Sequence, residues 1–588
     1  MQPKTKENDL LDYYARELAY LRSQGQNFAR RYPKVASQLD YHGTESQDPH
    51  TERLIESFAF LAARVHRDLD TEFPQVASGL LENLCPTMLA PIPSMTIIEF
   101  GLNGAQGKVT AGLAVPRHTA IVAEADTGEE CRFRTGWDTT LWPLRIDEAL
   151  LDDDGKLVVT VVTEHDANLA ELEIDTLRVH LSGDWSLVGA LYECLATKIK
   201  SIQIENEQGV AHTLPAASCR NIGFDAAFQL LPQAPGAHPA YGLLQEYFAF
   251  PAKFHFFDIS GLRAAKLSGS RFTLRFDVGG VPRKLRALSA ENFRLGCVAA
   301  INLFPRSTEP ILIDHRQHEI LLVADRAREA ITEIHSIELV TASDPGSDRP
   351  QSIPQFSALG HGSEETEGVF WAARRERSMR RDISGTDMHL SFVNQRNTRS
   401  SPTAPVVYAR TLCTNRGLAE QISTQTRLKG EGISNGLRIR CLTEPSRQRN
   451  PPLDGDTIWR LASLLTLSHD SLVSGETGRN QLREMLSLFA SDHNRDLEQI
   501  RGITGLSAHG VTRRIHGDAW RGYCRGTGVR LELDPDAFAG SSPVLFSAVL
   551  ARFFALYTTI NSFVQLGIYR GEECLTLWPP ISGAQELI

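Results

Sequence analysis

Apolar residues in the first ninety positions of the chain recur with the spacing of amphipathic helices. The first helix, predicted from Asp9 toward Tyr32, should end at Pro33, because proline has no amide donor and disfavours helix in the residue before it. A second helix is expected to begin at Asp48-Pro49, where the carboxylate can cap the first turn. A third is predicted between Phe73-Pro74 and Pro86. These helices have wider apolar faces than one short bundle requires, which indicates a docking element.

The spacing changes to that of β-strands after the third predicted helix. Met95–Phe100 and the β-branched run Leu157–Val162 predict strands, the second of them covered on both faces. Alternating apolar positions predict another strand near residues 177–181. A short helix is expected from Trp185 to Leu195. We therefore predict that residues 95–340 are β-rich, with at least two sheets or a barrel-like unit.

The rest of the chain is predicted to be mixed. Residues 341–403 are rich in Ser, Gly, Pro and Arg, and a long loop or inter-domain insertion is expected there. Helices return after Asp456, a strong helix opens at Pro543, and Phe563–Leu566 is expected to be the final strand. The predicted fold class is α+β, with an N-terminal helical bundle, β-rich middle domains and a mixed α/β C-terminal domain. A prior of about 150 residues per domain fits about four units or about three equally well, and we place four at 1–94, 95–340, 341–450 and 451–588.

Charge and cysteine usage narrow the classes of function. The chain has 61 Lys and Arg against 71 Asp and Glu, a net charge of −10, which argues against a protein whose main partner is nucleic acid. Its 9 cysteines include no C-x-x-C pair, so we expect reduced thiols in a cytosolic protein. No signal segment is recognised, and no run reaches the ~20 apolar residues that span a bilayer. A cytoplasmic protein is expected, with membrane contact only through partners.

One motif suggests a hydrolase. Gly432–Gly436 matches G-x-S-x-G, the nucleophile elbow of serine hydrolases, with Ser434 as the nucleophile. The elbow needs a buried strand before the serine and a helix after it. The preceding residues make a poor buried strand, and the alternation from Leu437 to Arg440 is typical of a strand. A hairpin turn is the favoured interpretation, and a serine hydrolase using Ser434 is the alternative function.

A possible metal site is weaker still. Asp314, His315 and His318 lie within five residues and carry side chains that bind metals. Their spacing fixes no geometry, and no second cluster completes a tetrahedral set. We favour a polar turn between two strands, and we predict neither a metal nor a cofactor nor a catalytic residue for this chain.

A basic run and an aromatic cluster also allow two interpretations each. The arginines Arg374, Arg375, Arg377, Arg380 and Arg381 would suit an acidic partner or a nucleic acid, but the interspersed acidic residues favour a solvated loop. Six aromatic residues between Tyr247 and Phe257 resemble a platform for stacking bases. Only Lys253 lies among them, whereas such platforms interleave several basic residues with the rings. A packed core around Pro251 is therefore favoured.

Several segments resemble one known family in order along nearly the whole chain. The family is that of the TssF (VasA/ImpG) baseplate subunits of type VI secretion systems. The segments that carry the resemblance are LLDYYARELAYLRSQGQNFARRYPKVA, DPHTERLIESFAFLAARVHRDLDTEFP, LAPIPSM, CRFRT, TLWPLR, LLQEYFAFPAKFHFFD, NLF, DHR, TLCTNRGL, LFSAVLARFFALY, NSFVQL and WPP. Residues 345–400 and 425–450 match least.

The resemblance implies a structural function. It implies a wedge subunit of a cytosolic baseplate, docked at the inner membrane through the secretion membrane complex. It also implies assembly with TssG, a second TssF copy, TssK and TssE around the VgrG hub, in support of the TssB/TssC sheath and its inner tube. In this family DHR is a sequence hallmark without a known metal, which supports the polar turn at residues 314–316.

The sequence offers two candidate surfaces for these contacts. On the first helix, the apolar stripe predicted to bind TssG in a helical bundle consists of Leu10, Leu11, Tyr14, Leu18 and Leu21. The same pattern would fit a helix folded on its own domain, and only the resemblance favours contact between subunits. The candidates for self-association in the C-terminal unit are Phe553, Phe554 and Tyr557.

Overall fold

The described part of the chain begins with two long helices, continues through many short strands, and ends in a mixed part with three helices between residues 475 and 556. The structure is a computed structural model that describes residues 6–32, 34, 48–102, 110–165, 167–233, 239–313, 317–343, 350–356, 368–378, 380, 383–394, 402, 405–433, 436–453, 475–491, 493–514, 523–556, 558 and 562–583. The α-helices in this part of the chain are α1 Lys6–Arg31, α2 Pro49–Leu84, α3 Trp185–Glu193, α4 Pro239–Ala249, α5 Gly475–Phe489, α6 Asn494–Arg501 and α7 Pro543–Leu556.

The prediction of separate second and third helices was wrong, because α2 runs through Pro74 without a break. A proline inside a helix removes one backbone hydrogen bond and bends the axis. In a helix of 36 residues that loss is local. The predicted start at Asp48 is confirmed: its side chain accepts a hydrogen bond from the His50 amide.

The strands confirm the predicted β-rich middle. Those of the first half are β1 Met95–Leu102, β2 Leu113–Val115, β3 Ala120–Glu124, β4 Glu130–Thr135, β5 Thr139–Leu141, β6 Leu144–Leu151, β7 Leu157–Thr163, β8 Thr176–Leu181, β9 Ile199–Asn206, β10 Ala211–Pro215, β11 Cys219–Asn221, β12 Phe256–Ser260, β13 Arg271–Val278, β14 Phe293–Arg294 and β15 Cys297–Ile301.

Strands also fill much of the second half. They are β16 Phe304–Ser307, β17 Ile311–Leu312, β18 Ile320–Leu322, β19 Glu333–Ser343, β20 Gln351–Ile353, β21 Phe370–Arg377, β22 Thr386–Val393, β23 Val406–Thr414, β24 Arg427–Gly430, β25 Leu437–Cys441, β26 Ile503–Arg514, β27 Tyr523–Leu533, β28 Phe563–Arg570, β29 Glu573–Leu577 and β30 Ile581–Ser582.

Two of the sequence predictions for this half need correction. The long loop expected over residues 341–403 contains three strands, β20 to β22, where few apolar runs had suggested none. The strand beginning at Phe563 is not the final one, since β29 and β30 pair with it. β20 has only three residues and the second half of β21 is charged, so neither gives a clear apolar alternation. In β22 the apolar residues Met388, Leu390 and Phe392 do alternate with polar ones, a signal that the prediction did not use.

A closed barrel lies at the centre of the chain. Its strands follow the order β1-β15-β4-β3-β24-β25, and β1 pairs with both β15 and β25. Two strands of the barrel therefore come from the segment 427–441, far along the sequence from β1. The four domain limits stay a prediction.

The other sheets in the described part of the chain are open. The strand orders are β10-β9-β13-β7-β6, β11-β12-β8-β14, β16-β23-β19-β20 with β17 on β23, β18-β22-β21, β2-β5, and β26-β27-β28-β29 with β30 on β28. In the last of these, β27 and β28 run parallel, and the connection between them includes α7. A helical crossover is the usual way to join parallel neighbours.

Apolar burial joins the middle of the chain to its C-terminal part. One continuous core cluster extends from Leu81 to Ile568, and it includes the inner faces of α4, α5 and α7. A second cluster fills the barrel, and a third lies between the sheets of β19 and β22. In the part of the chain that is described, no helix combines the length and the apolar character needed to cross a membrane.

Three histidines are buried in these cores. Burial lowers the pKa of His180 to about 4 and the pKa values of His255 and His335 to about 3, since the charged ring would lose its hydration. All three are 2–6% exposed. The native state therefore holds them neutral at pH 5, whereas an unfolded chain would bind protons there.

This difference predicts that acid destabilises the fold. Below about pH 6.5 the unfolded state binds more protons, so the free energy of unfolding should fall by about 1.4 kcal/mol per pH unit for each histidine. We expect His255→Gln to flatten the dependence of the thermal unfolding midpoint on pH between 7 and 5. The exposed His318→Gln should leave that slope unchanged, and equal slopes for the two variants would contradict the assignment.

Candidate interaction surface

The two N-terminal helices pack against each other as a hairpin. The rings of Tyr14 and Phe60 meet edge to face at 6.4 Å between centroids. Arg22 donates to the Glu52 carboxylate from Nη2 at 2.6 Å and from Nε at 3.2 Å, a charge-assisted pair that fixes the register of the helices. On α2, Ala59 is fully buried next to these contacts.

The cap at the start of α2 holds this hairpin in place. Asp48 accepts a hydrogen bond from the Thr51 hydroxyl at 2.8 Å and another from the His50 amide at 3.1 Å. The Thr51 hydroxyl, followed by the His50 amide, holds the pKa of the Asp48 carboxyl below its usual range. An ionised carboxylate is thus kept at the positive end of the helix dipole.

The apolar residues of α2 divide between two opposite faces. The face of α2 toward α1 carries Glu52, Ala59 and Ala63, which recur at helical spacing. On the opposite face, an unpartnered row of apolar side chains is exposed to solvent. This outer row, with its exposed fractions, is Leu54 72%, Phe58 59%, Leu61 59% and Val65 56%.

The stripe predicted on α1 lies partly inside this hairpin. Tyr14, Leu18 and Leu21 are half-buried, and Tyr14 packs against α2. The side chains of Leu10 and Leu11 lie outside the described residues. The sequence did not single out the outer row of α2, although its four members recur at helical spacing beside a second apolar face. Two apolar faces at helical spacing on the same helix were the feature from which the sequence could have predicted the outer row.

The structure places two of the three predicted self-association residues in the interior of the chain. Phe553 and Phe554 are 0% exposed, and the Phe553 ring contacts Tyr241 of α4 at 6.4 Å. They belong to the chain's own core, because α7 is apolar all round and is covered by α4 and β28. Tyr557 lies outside the described residues.

The candidate hydrolase motif occupies a hairpin. β24 and β25, which flank Gly432–Gly436, pair in antiparallel fashion with Leu428 opposite Ile439. A strand thus follows the motif where a nucleophile elbow needs a helix, and the hairpin interpretation is confirmed. Ser434 itself lies outside the described residues.

The candidate metal ligands are only partly described. His318 is exposed between β17 and β18, while Asp314 and His315 lie outside the described residues. Within the described ranges, no group of three or more His, Cys, Asp or Glu side chains is placed to hold a metal ion. The aromatic cluster from Tyr247 to Phe257 is buried, as the core interpretation predicted.

The prediction of a solvated loop for the arginine run was wrong, because its first members lie on β21. Arg374 pairs with Glu319 at 2.7 Å and Glu376 at 2.9 Å, and Arg380 pairs with Glu329 at 2.8 Å. Arg381 lies outside the described residues. These pairs come from neighbouring strands and turns, which the order of residues along the chain does not reveal.

Arg375 of this run enters a buried cluster of charges around Glu333. Glu333 is 1% exposed, with Arg375 at 3.9 Å and Arg416 at 3.7 Å from its carboxylate oxygens. The Thr386 amide and the Gln448 side chain also donate to this carboxylate, at 2.9 and 2.7 Å. Burial lowers the pKa of Arg375 to about 10, so the guanidinium remains charged at neutral pH.

Backbone geometry is adapted to the same cluster. Arg416 has φ of +50°, a left-handed conformation that costs a side-chain-bearing residue free energy. In return, its guanidinium donates to the carbonyls of Thr332 at 3.2 Å and Ser384 at 2.6 Å. A Cβ at Gly385 would collide with both Arg416 and Glu333, so only glycine fits there.

Comparisons with known proteins agree on one family. A family model described as "Type VI secretion system, TssF" matches residues 6–585. The "Type VI secretion system component TssF1" of Pseudomonas aeruginosa is 31% identical over 600 aligned positions, which cover 96% of this chain and 97% of that protein.

Two solved structures share the fold. One chain of the type VI secretion system TssK-TssF-TssG baseplate subcomplex, determined by cryo-electron microscopy, aligns with a TM-score of 0.74 at 23% identity, covering 91% of this chain and 100% of that chain. A chain of the baseplate complex from the type VI secretion system aligns with a TM-score of 0.59 at 21% identity, covering 98% and 100%.

The charge cluster predicts a strong and local effect on stability. Glu333→Ala would leave two buried arginines without their carboxylate, so we expect the free energy of unfolding to fall by about 3–5 kcal/mol. Glu338→Ala is the control on the same strand, because the Glu338–Arg410 pair is largely exposed and should contribute less than about 1 kcal/mol. Urea unfolding compares the two variants, and equal losses would refute a special role for the buried carboxylate.

Proposed function

This chain belongs to the TssF family of type VI secretion systems and is a structural wedge subunit of the baseplate, and we propose that its N-terminal hairpin is the surface that joins it to TssG. The proposal rests on the outer row of α2, four large apolar side chains on one helical face. Isolated exposed apolar residues are common, but a contiguous row at helical spacing is typical of a face that another helix covers.

TssG is the partner that best suits this row. A solved complex of similar fold contains TssK, TssF and TssG together. Burial of each Leu, Phe or Val side chain would contribute on the order of 1.5–3 kcal/mol, so four of them could dominate an interface. In this arrangement Leu18, Leu21 and Tyr14 form the seam between α1 and α2 and orient the outer row.

The other contacts are proposed on the resemblance to the family. We propose that the subunit also meets TssK, TssE, a second TssF copy and the VgrG hub, and that the assembled platform supports the TssB/TssC sheath. We further propose a cytoplasmic location, with docking at the inner membrane through the membrane complex of the secretion system. The buried Phe553 and Phe554 are not part of the proposed self-contact.

The proposal predicts that charge on the outer row separates the subunits without unfolding them. With TssG co-expressed, Leu61→Asp should remain folded, as judged by circular dichroism, and lose at least about tenfold in affinity for TssG, because a carboxylate would be buried in the interface. Gln425→Asp, an exposed polar site in another part of the chain, is the matched control and should bind normally. Co-purification followed by measurement of the mass of the complex shows whether each variant binds TssG.

A second variant distinguishes the two faces. Leu18→Asp places the same charge in the seam, so we expect it to destabilise the hairpin and to lower the thermal unfolding midpoint. The proposal fails if Leu61→Asp assembles normally while a folded Leu18→Asp loses TssG. That result would assign the dock to α1.

A further inference from the structure

The hairpin of β26 and β27 extends beyond the sheet to which it belongs. β28 first pairs with β27 at Thr527, whereas the pairing of β26 with β27 continues for four more residues, to Arg514 opposite Tyr523. The residues past Thr527 form a two-stranded arm, defined here as Val511–Arg514 and Tyr523–Gly526. The residues before β28 contact the base of the arm, where the Ser562 hydroxyl donates to the Arg525 carbonyl at 3.1 Å. Beyond that contact the arm is a pair of strands, which is marginally stable in water and gains from a partner.

The outer edge of β26 is open to such a partner. In the described part of the chain, β26 is the terminal strand of its sheet, and its other edge pairs with nothing. Only the start of that edge is covered, where Arg483 donates to the Ile503 carbonyl at 2.6 Å and Arg479 donates to the Thr504 carbonyl at 3.0 Å. From Ser507 to Arg514 there is neither a proline nor a lysine nor a bulge, the devices that usually protect an edge strand.

The arm carries a charge opposite to that of the whole chain. The net charge of the chain is −10, yet no Asp or Glu occurs between Ile503 and Arg514 or between Tyr523 and Leu531. Arg513 and Arg525 are exposed, and within the described residues neither makes an ion pair, although Arg513 donates from Nε to the Gln565 side chain at 3.3 Å. Beside them Tyr523 is 80% exposed. Arginine and tyrosine are the residue types that most often dominate the energy of protein interfaces.

From the open edge and the charge together we propose that this arm binds an acidic, extended segment of a partner protein, which adds to β26 as a further strand. The backbone groups of the edge would hold the segment through main-chain hydrogen bonds. Arg513 and Arg525 would select carboxylates on it and raise the rate of encounter. A nucleic acid fits less well, because it has no peptide backbone to pair with the edge.

The test uses the full-length chain and a short capped peptide of Thr-Thr-Glu-Glu repeats, labelled for fluorescence anisotropy. Such a repeat places carboxylates on both faces of an extended strand, as Arg513 and Arg525 on opposite faces of the arm require. We expect saturable binding that weakens with added salt and falls about tenfold or more in the double variant Arg513→Glu/Arg525→Glu. Arg263→Glu/Arg286→Glu makes the same change of charge at exposed arginines outside the arm and should leave binding unchanged. Circular dichroism verifies that both variants are folded.

Two further probes separate strand addition from simple charge attraction. The same peptide with every backbone amide methylated keeps its charge but has no N–H group to donate to the edge, so it should not bind. A single-stranded oligothymidylate tests the nucleic-acid alternative. The proposal is overturned if the Thr-Glu peptide does not bind, if the methylated peptide binds equally well, if the arm variant binds like its control, or if the oligothymidylate binds more tightly than the peptide.

Discussion

Burial of aromatic side chains around α4 is the interaction on which the rest of the structure depends. This helix is buried over nearly its whole length, and the C-terminal α7 packs against it through contacts such as that of Tyr241 with Phe553. The sheets of the middle of the chain and the C-terminal sheet thus share one apolar core. Because apolar burial is non-directional, this core holds the units together without fixing their orientation in detail.

Buried polar groups, which make directional hydrogen bonds, fix the relative orientation of elements that apolar packing leaves open. Glu246 accepts hydrogen bonds from the amides of Leu230 and Leu231 at 2.7 and 2.8 Å, and it also pairs with Lys253. Glu333 likewise joins β19 to β21 through Arg375 and to the segment after β23 through Arg416. Such groups are costly to bury without partners, so the hydrogen bonds they make in the interior allow few alternative packings.

Elements with regular apolar spacing could be predicted from the sequence. Prediction was wrong mainly where the apolar spacing is irregular. The burial of Leu157–Val162 and the helix beginning at Pro543 followed directly from composition and period. The strands β20 and β21 did not, because β20 is short and the arginines of β21 are matched by partners distant in sequence, such as Glu319. The alternation within β22 was a signal that the prediction did not use. The outer row of α2 was within the predicted apolar residues, but which face α1 covers depends on tertiary packing.

The barrel has a consequence for the order of events during synthesis. β1 is among the first strands to be translated, yet one of its two neighbours, β25, is made more than three hundred residues later. Until residue 441 has left the ribosome, β1 has an unpaired edge and the barrel interior remains open. Contacts this distant along the chain fold slowly and leave β-edges available for aggregation. The nascent chain is therefore a natural client for chaperones long before any other subunit can reach it.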